Sequence, residues 1–174
     1  AAGLVACGVV SGAYLGALHL SGNFHTVIPG ELYRSAQPTP DQIKRYASQY
    51  GIRTIVNLRG ENDNQPWYDG EIATARALDI RHIDFRMSAH KPLSGDEADK
   101  LLVLLKDAPK PILIHCQSGA DRTGLVSVIY SNQIAGLSEA QSERQLSILF
   151  GHVGIPLISA AYAMDESWHQ LERH

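Results

Sequence analysis

The sequence predicts an α/β domain built on a central, mostly parallel sheet of four to five strands with helices on its faces. Two observations predict it. Short segments rich in β-branched residues alternate with segments of helical periodicity, and that order implies a parallel sheet covered on both sides. The chain, 174 residues with 44% hydrophobic and 19% charged side chains, suits one compact unit and excludes a disordered or disulfide-stapled chain.

The elements follow in order. Residues 21–30 (SGNFHTVIPG) carry Gly, Asn and Pro and read as a connector, after which ELYRS reads as a short strand ended by AQP. Thr39, Pro40 and Gln42 supply an N-cap, a proline at the first helical position and a capping-box glutamine, and Ile43, Tyr46, Ala47 and Tyr50 share one face up to Gly51. RTIVNL is a buried strand, RGENDNQP a polar loop, and residues 67–78 a helix. IRHIDF is the next strand and residues 86–93 a loop. Ser94 and Glu97 then cap a helix with Ala98, Leu101, Leu102 and Leu105 on one face, stopped by Pro109 and Pro111. PILIH is an apolar strand and residues 124–135 a largely apolar helix closed by Gly136. Ser138 with Gln141 caps a helix to residue 150, and residues 158–171 form a last helix striped by Ala161, Met164, Trp168 and Leu171.

The 15 Lys and Arg and the 18 Asp and Glu all follow Gly30, so the chain has two chemically different parts. Residues 1–20 read as an apolar leader long enough, as a helix, for the ~30 Å of a bilayer core, residues 21–30 as the connector, and residues 31–174 as the folded domain. Gly8, Gly12 and Gly16 would share one helix face. Leu4 to Cys7 is similar to a bacterial lipobox, but the apolar run continues beyond Cys7, which favours a membrane anchor or an export-signal remnant over lipidation. Membrane attachment or export, facing the periplasm in a bacterium, is therefore expected, with a cytoplasmic location if the leader is no anchor. A net charge of -3 gives no electrostatic case for nucleic acid. The eight histidines and two cysteines show no zinc-ligand spacing, so neither metal nor organic cofactor is expected.

The chemistry concentrates between PILIH and the next helix, in His115-Cys116-Gln117-Ser118-Gly119-Ala120-Asp121-Arg122-Thr123-Gly124. With Arg122 six residues after Cys116, a short loop can wrap one tetrahedral anion: the backbone N–H groups of residues 117–122 point inward, the helix N-terminus adds positive potential, and the arginine fork holds two oxygens. Gly119 permits the turn, and the same donors favour a thiolate at Cys116.

These residues resemble the signature of the cysteine-dependent protein tyrosine phosphatase superfamily, His-Cys-x-x-Gly-x-x-Arg-Ser/Thr-Gly, at every fixed position. Tyr33-Arg34-Ser35-Ala36-Gln37-Pro38 and Ile55-Val56-Asn57-Leu58-Arg59 are further similar to its compact atypical dual-specificity branch, known from bacteria, plants and fungi. The resemblance covers the segment from about Pro29 to the helix after Gly136. It implies that Cys116 attacks phosphorus to form a phosphocysteine and that Arg122 binds the phosphate and its developing charge. His115 then tunes the thiolate, and Thr123 offers its hydroxyl to the departing sulfur. Residues 31–174 are in this light a phosphatase domain. A rhodanese-like loop fits the Arg-Thr-Gly exit poorly.

The superfamily's usual general acid, an Asp on a mobile loop some thirty residues before the Cys, has no counterpart in residues 86–93. Asp121 comes first as the alternative, since Asp-Arg-Thr resembles the loops of myotubularin-like and bacterial phosphoinositide phosphatases; its other reading is a carboxylate paired with a nearby cation. Asp84 is second and His90 third, while Lys91 and His90 also suit the mouth of the site, and Asp96 reads as a helix-dipole partner. Arg34 and Arg59 either widen a positive rim or bond backbone carbonyls. Trp67, Tyr68 and Trp168 read as packing residues, and His25 and His152 as connector histidines. The expected substrate is a phosphorylated protein or, as the alternative, a phosphoinositide or other lipid phosphate at a membrane; a tethered module that binds phosphate without turnover is the rival class.

Overall fold

The computed structural model describes Tyr14, Gly16, Leu18, residues 21–156 and residues 158–172. Its sheet has five strands: β1 (His25–Ile28), β2 (Leu32–Ser35), β3 (Thr54–Asn57), β4 (Arg81–Asp84) and β5 (Ile112–His115), in the order β1-β2-β5-β3-β4. Only β1 runs antiparallel, paired with β2. The expected mostly parallel sheet is therefore present. Its helices are α1 (Pro40–Tyr50), α2 (Pro66–Ala77), α3 (Gly95–Asp107), α4 (Asp121–Ile129), a single turn α5 (Glu139–Ser142) and α6 (Tyr162–Leu171).

Strand alternation sorts the side chains into two layers. Leu32, Val56, Ile112 and Ile114 face α3, α4 and α6 and pack with Leu101, Leu105, Leu125, Ile129, Met164 and Trp168. Tyr33, Ile55 and Leu113, one residue out of phase, face α1 and α2 and pack with Ile43, Tyr46 and Ala75. Phe24 stacks on Tyr46, with ring centroids 4.1 Å apart.

Four local expectations change. The connector carries strand β1, which pairs with β2 at the sheet edge. The helix after the cysteine loop starts at Asp121, three residues earlier than expected, and passes into a π turn over Tyr130–Ile134. The Ser138 capping box forms, yet the helix ends at Ser142 and gives way to 3-10 turns over Glu143–Gln145 and Ile148–Phe150. The cause is tertiary: the carbonyls of Gln145 and Phe150 accept from Arg34 and Asn23, so the Gln145 carbonyl is taken from a helical ladder. The last helix starts at Tyr162, and Ile158 stands 81% exposed before it.

The leader expectations, a membrane segment over residues 1–20 and lipidation of Cys7, lie outside the described residues except at Tyr14, Gly16 and Leu18. Among the described residues no helix is long and apolar enough to cross a membrane.

Leu101, fully buried on α3, tests the larger layer. Leu101→Ala is expected to cost about 2–5 kcal/mol in urea unfolding; a loss below about 1 kcal/mol would show that this layer repacks freely.

Candidate active site

β5 is the middle strand, and the chain crosses from β2 to β3 on either side of it, so its carboxyl end opens into the crevice where α/β sheets bind ligands. Ser35, His115, Asn57 and Asp84 stand in register across the last row of the four parallel strands. Cys116 follows that row, 2% exposed, and α4 begins five residues later.

The loop between them is held from outside, carbonyl by carbonyl. Gln117 O accepts from the Gln37 amide at 3.2 Å, and Ser118 O from Asn23 Nδ2 at 3.0 Å. Gly119 O and Ala120 O accept from Arg34 Nη2 at 2.8 and 3.2 Å. In a trans peptide the C=O and the following N–H point opposite ways, so drawing these oxygens outward turns the N–H groups of Ser118, Gly119 and Asp121 toward the inside of the loop. The Ala120 N–H rests on Ser118 Oγ at 3.3 Å. Gly119 has φ +73°, and a Cβ there would lie 2.6 Å from Ala36 N and 2.7 Å from Ser35 O, so both the turn and the approach to β2 require glycine. The result is an anion cradle at a helix N-terminus.

Three arginines surround it. Arg122 reaches Leu58 O and Met87 O through Nη1, both at 3.4 Å, which spans the ends of β3 and of the β4 loop and leaves its fork largely free. Arg59 donates to Gln37 Oε1 at 3.0 Å and lies 3.6 Å over the Trp67 ring, so Trp67 is its platform as well as a packing residue. Burial, with Arg122 next, depresses the Arg59 pKa, and through Gln37, whose backbone N–H holds Gln117 O, this cation stands one residue away from the loop. Arg34 is wholly buried and bonds carbonyls, the second of its two expected readings.

His115 shares the face of Leu113 and so meets α2. Its Nε2 donates to Glu71 Oε1 at 2.9 Å, His82 Nε2 donates to the same oxygen at 2.7 Å, and Gln37 Nε2 donates to Glu71 Oε2 at 2.5 Å. Glu71, 0% exposed, fixes the ring that precedes Cys116 and also the glutamine that holds Gln117 O. Burial pushes its pKa up, but the His115 charge and the bonds from His115, His82 and Gln37 outweigh it and bring it down to about 2. Sequence reasoning missed Glu71, although a carboxylate three residues after Tyr68 and three before Thr74, on one buried helix face, was the available signal. Asn23 carried no such signal, being part of the expected connector.

The three candidate acids sit differently. Asp121, the first residue of α4, takes a hydrogen bond on Oδ1 from His152 Nδ1 at 2.7 Å, and His152 Nε2 lies 2.9 Å from Asp165 Oδ2 on α6. Asp121 thus bonds a histidine held between two carboxylates, and it lines a small cavity with Ser118, Ala120, Asn23 and Phe150. His152, expected as a connector histidine, is buried inside this clasp, with partners 31 and 13 positions away in the chain. Burial lowers its pKa, but the bonds from the two carboxylates prevail and raise it. Asp84 has both oxygens engaged, by Tyr68 Oη at 2.6 Å and Asn57 Nδ2 at 2.8 Å. His90 is exposed and faces a cleft against α6 with Pro92, Tyr162 and Glu166, away from the cysteine loop. Lys91 lies in the same β4 loop, beside Met87 and Glu97. Thr123 is fully buried with no partner for Oγ1 among the described residues. Among those residues the one cluster with metal-like spacing is Glu139, Glu143 and Glu172, which includes none of the site residues.

Residues 25–152 match the family model described as DSP-PTPase phosphatase fused to NAD+ kinase. Solved structures share the fold. TpbA of P. aeruginosa in complex with pTyr aligns with TM-score 0.63 at 21% identity, covering 88% of this chain and 93% of its own. The core catalytic domain of PP-IP phosphatase SIW14 from S. cerevisiae, in complex with citrate, aligns with TM-score 0.65 at 21% identity, covering 87% and 89%.

Because the Glu71 pKa is depressed in the folded protein, its stabilisation is complete above its ordinary value of 4.5 and is lost as pH falls through about 2. Over that window the wild type should lose about 3 kcal/mol more than Glu71→Gln in urea unfolding. Parallel acid limbs for the two proteins would show that the carboxylate carries no such charge-dependent bond.

Proposed function

The chain belongs to the DSP-PTPase phosphatases, a family of cysteine-dependent enzymes, and from that premise we propose that it dephosphorylates phosphotyrosine and phosphoserine or phosphothreonine proteins through a cysteinyl-phosphate on Cys116. The observation that carries the reading is the cradle itself, whose carbonyls are all held outward and whose first residue is the buried Cys116. The phosphoryl group lies in the loop, with its oxygens on the inward N–H groups of Ser118, Gly119 and Asp121 and on the Arg122 fork. Cys116 Sγ attacks phosphorus, the P–O bond to the alcohol or phenol breaks, and the equatorial charge is stabilised by donors already in place. Water then cleaves the S–P bond, and the free Thr123 hydroxyl donates to the departing sulfur.

Asp121 is the proton donor in this reading. It stands at the first position of α4, lining a small cavity with Ser118 and Ala120 of the loop, and its carboxyl protonates the leaving oxygen and takes a proton back from the attacking water, while His152, bonded to both Asp121 and Asp165, positions it. A polyphosphorylated inositol head group is the second reading, supported by the extra cation Arg59, held on Gln37 next to the loop, and by the SIW14 likeness.

Wild-type protein should release phosphate from nitrophenyl phosphate, and Cys116→Ser should lower that rate at least ~10³-fold; turnover retained in the serine variant would refute the covalent route, and none in the wild type would leave a binding module. Phosphopeptides compared with inositol phosphates then decide the substrate class.

Asp121→Asn should slow an alkyl phosphate about 10²-fold while changing nitrophenyl phosphate, with its good leaving group, only a few fold. Equal slowing of both substrates would leave Asp121 with its structural pairing alone.

A further inference from the structure

We propose that Arg34 is the fixed counter-charge of the phosphate site: its buried positive charge, beyond the hydrogen bonds it makes, helps hold the anion on the other side of the cysteine loop. This assignment makes Arg34 a positioning residue for the reaction and rests on the phosphatase reading of Cys116.

Arg34 stands on β2 with 0% exposure, among the largest fully buried side chains of the described residues. Its fork bonds only neutral acceptors: Gln145 O at 2.5 Å, Gln145 Oε1 at 3.1 Å, Gly119 O at 2.8 Å and Ala120 O at 3.2 Å. One face lies 4.2 Å from the centre of the Phe150 ring, and Nε has no partner among the described residues. Among the described residues no carboxylate reaches it within ion-pair distance. A cation taken wholly out of water and left without a counter-ion is costly, and a buried guanidinium cannot escape that cost by losing its proton as readily as a lysine. Carbonyl dipoles offset only part of it.

The remaining compensation comes from the negative groups nearest the buried charge. Burial lowers the Arg34 pKa to about 9, and the two influences that hold it up are Cys116 and Asp121. Both belong to the loop that Arg34 grips. The cation therefore grips the loop from behind, through the Gly119 and Ala120 carbonyls, and a phosphoryl dianion on the inward N–H groups faces it across those same peptides. Around the same loop, Arg122 on α4 and Arg59 after β3 add positive charge, His115 on β5 is tied to the Glu71 anion, and Asp121 is tied to His152. Arg34 differs from Arg122 and Arg59 in being sealed from solvent, so water and salt screen its field least.

Charge and scaffold are separable by two substitutions. Arg34→Gln keeps hydrogen-bond donors without charge, and Arg34→Lys keeps charge without the fork. Tungstate, a dianion, is the probe, with its affinity measured by calorimetry and the rate of Cys116 alkylation by iodoacetamide measured alongside at pH 7. Arg34→Gln is expected to weaken tungstate about tenfold or more and to slow alkylation in proportion, and Arg34→Lys to stay within about threefold on both. Equal losses in the two variants would overturn the charge assignment and leave a scaffold, which lowers urea stability in both alike. Should Arg34→Gln not fold, Arg34→Lys decides alone: retained tungstate affinity supports the charge, and a tenfold loss overturns it. Failure of the wild type to bind tungstate would instead overturn the phosphatase reading from which the inference starts.

Discussion

The outward bonding of four successive carbonyls, Gln117 to Ala120, is the constraint on which the site depends. A loop of this length has no secondary structure of its own to orient its peptides, and an anion cradle needs the N–H side of those peptides to face one way. The donors come from three places: the Gln37 amide just beyond β2, the Arg34 fork within β2, and Asn23 before β1. Because these parts of the chain must be in place before the loop has its shape, the sheet edge and the active site form together. Gly119, pressed against the end of β2, allows that approach.

The same bonds explain features that otherwise look like irregularities. The segment after α5 breaks into 3-10 turns because the Gln145 and Phe150 carbonyls serve Arg34 and Asn23. Phe150 closes over the guanidinium and helps to keep water out. On the opposite face of the sheet, Glu71 organises a second group in which His115, His82 and Gln37 converge on one carboxylate. Through Gln37 this group reaches both the loop, at Gln117 O, and Arg59. The cysteine loop is thus braced from both layers, by an unpaired cation on one side and a saturated anion on the other.

Much of the fold could be read in the sequence because its cues are local. The capping boxes at Thr39 and Ser94 formed as expected, since their partners lie three residues away, and the apolar strands and the helix faces of α1 and α3 follow from periodicity. The Ser138 box also formed, but three residues of capping could not hold a helix whose later carbonyls had partners elsewhere. The strand in HTVI was hidden among Gly, Asn and Pro, because an edge strand of four residues gains its stability from its neighbour β2.

Cys116, Arg122 and Gly119 were singled out by the sequence alone, since the pattern of one anion-wrapping loop is contained in ten consecutive residues. Glu71 under His115, Asn23 and Arg34 behind the loop, and His152 between Asp121 and Asp165 were decided only by the tertiary structure. Each of these acts on partners between 13 and 95 positions away in the chain, and no local pattern records which distant donor will meet a given carbonyl or carboxylate.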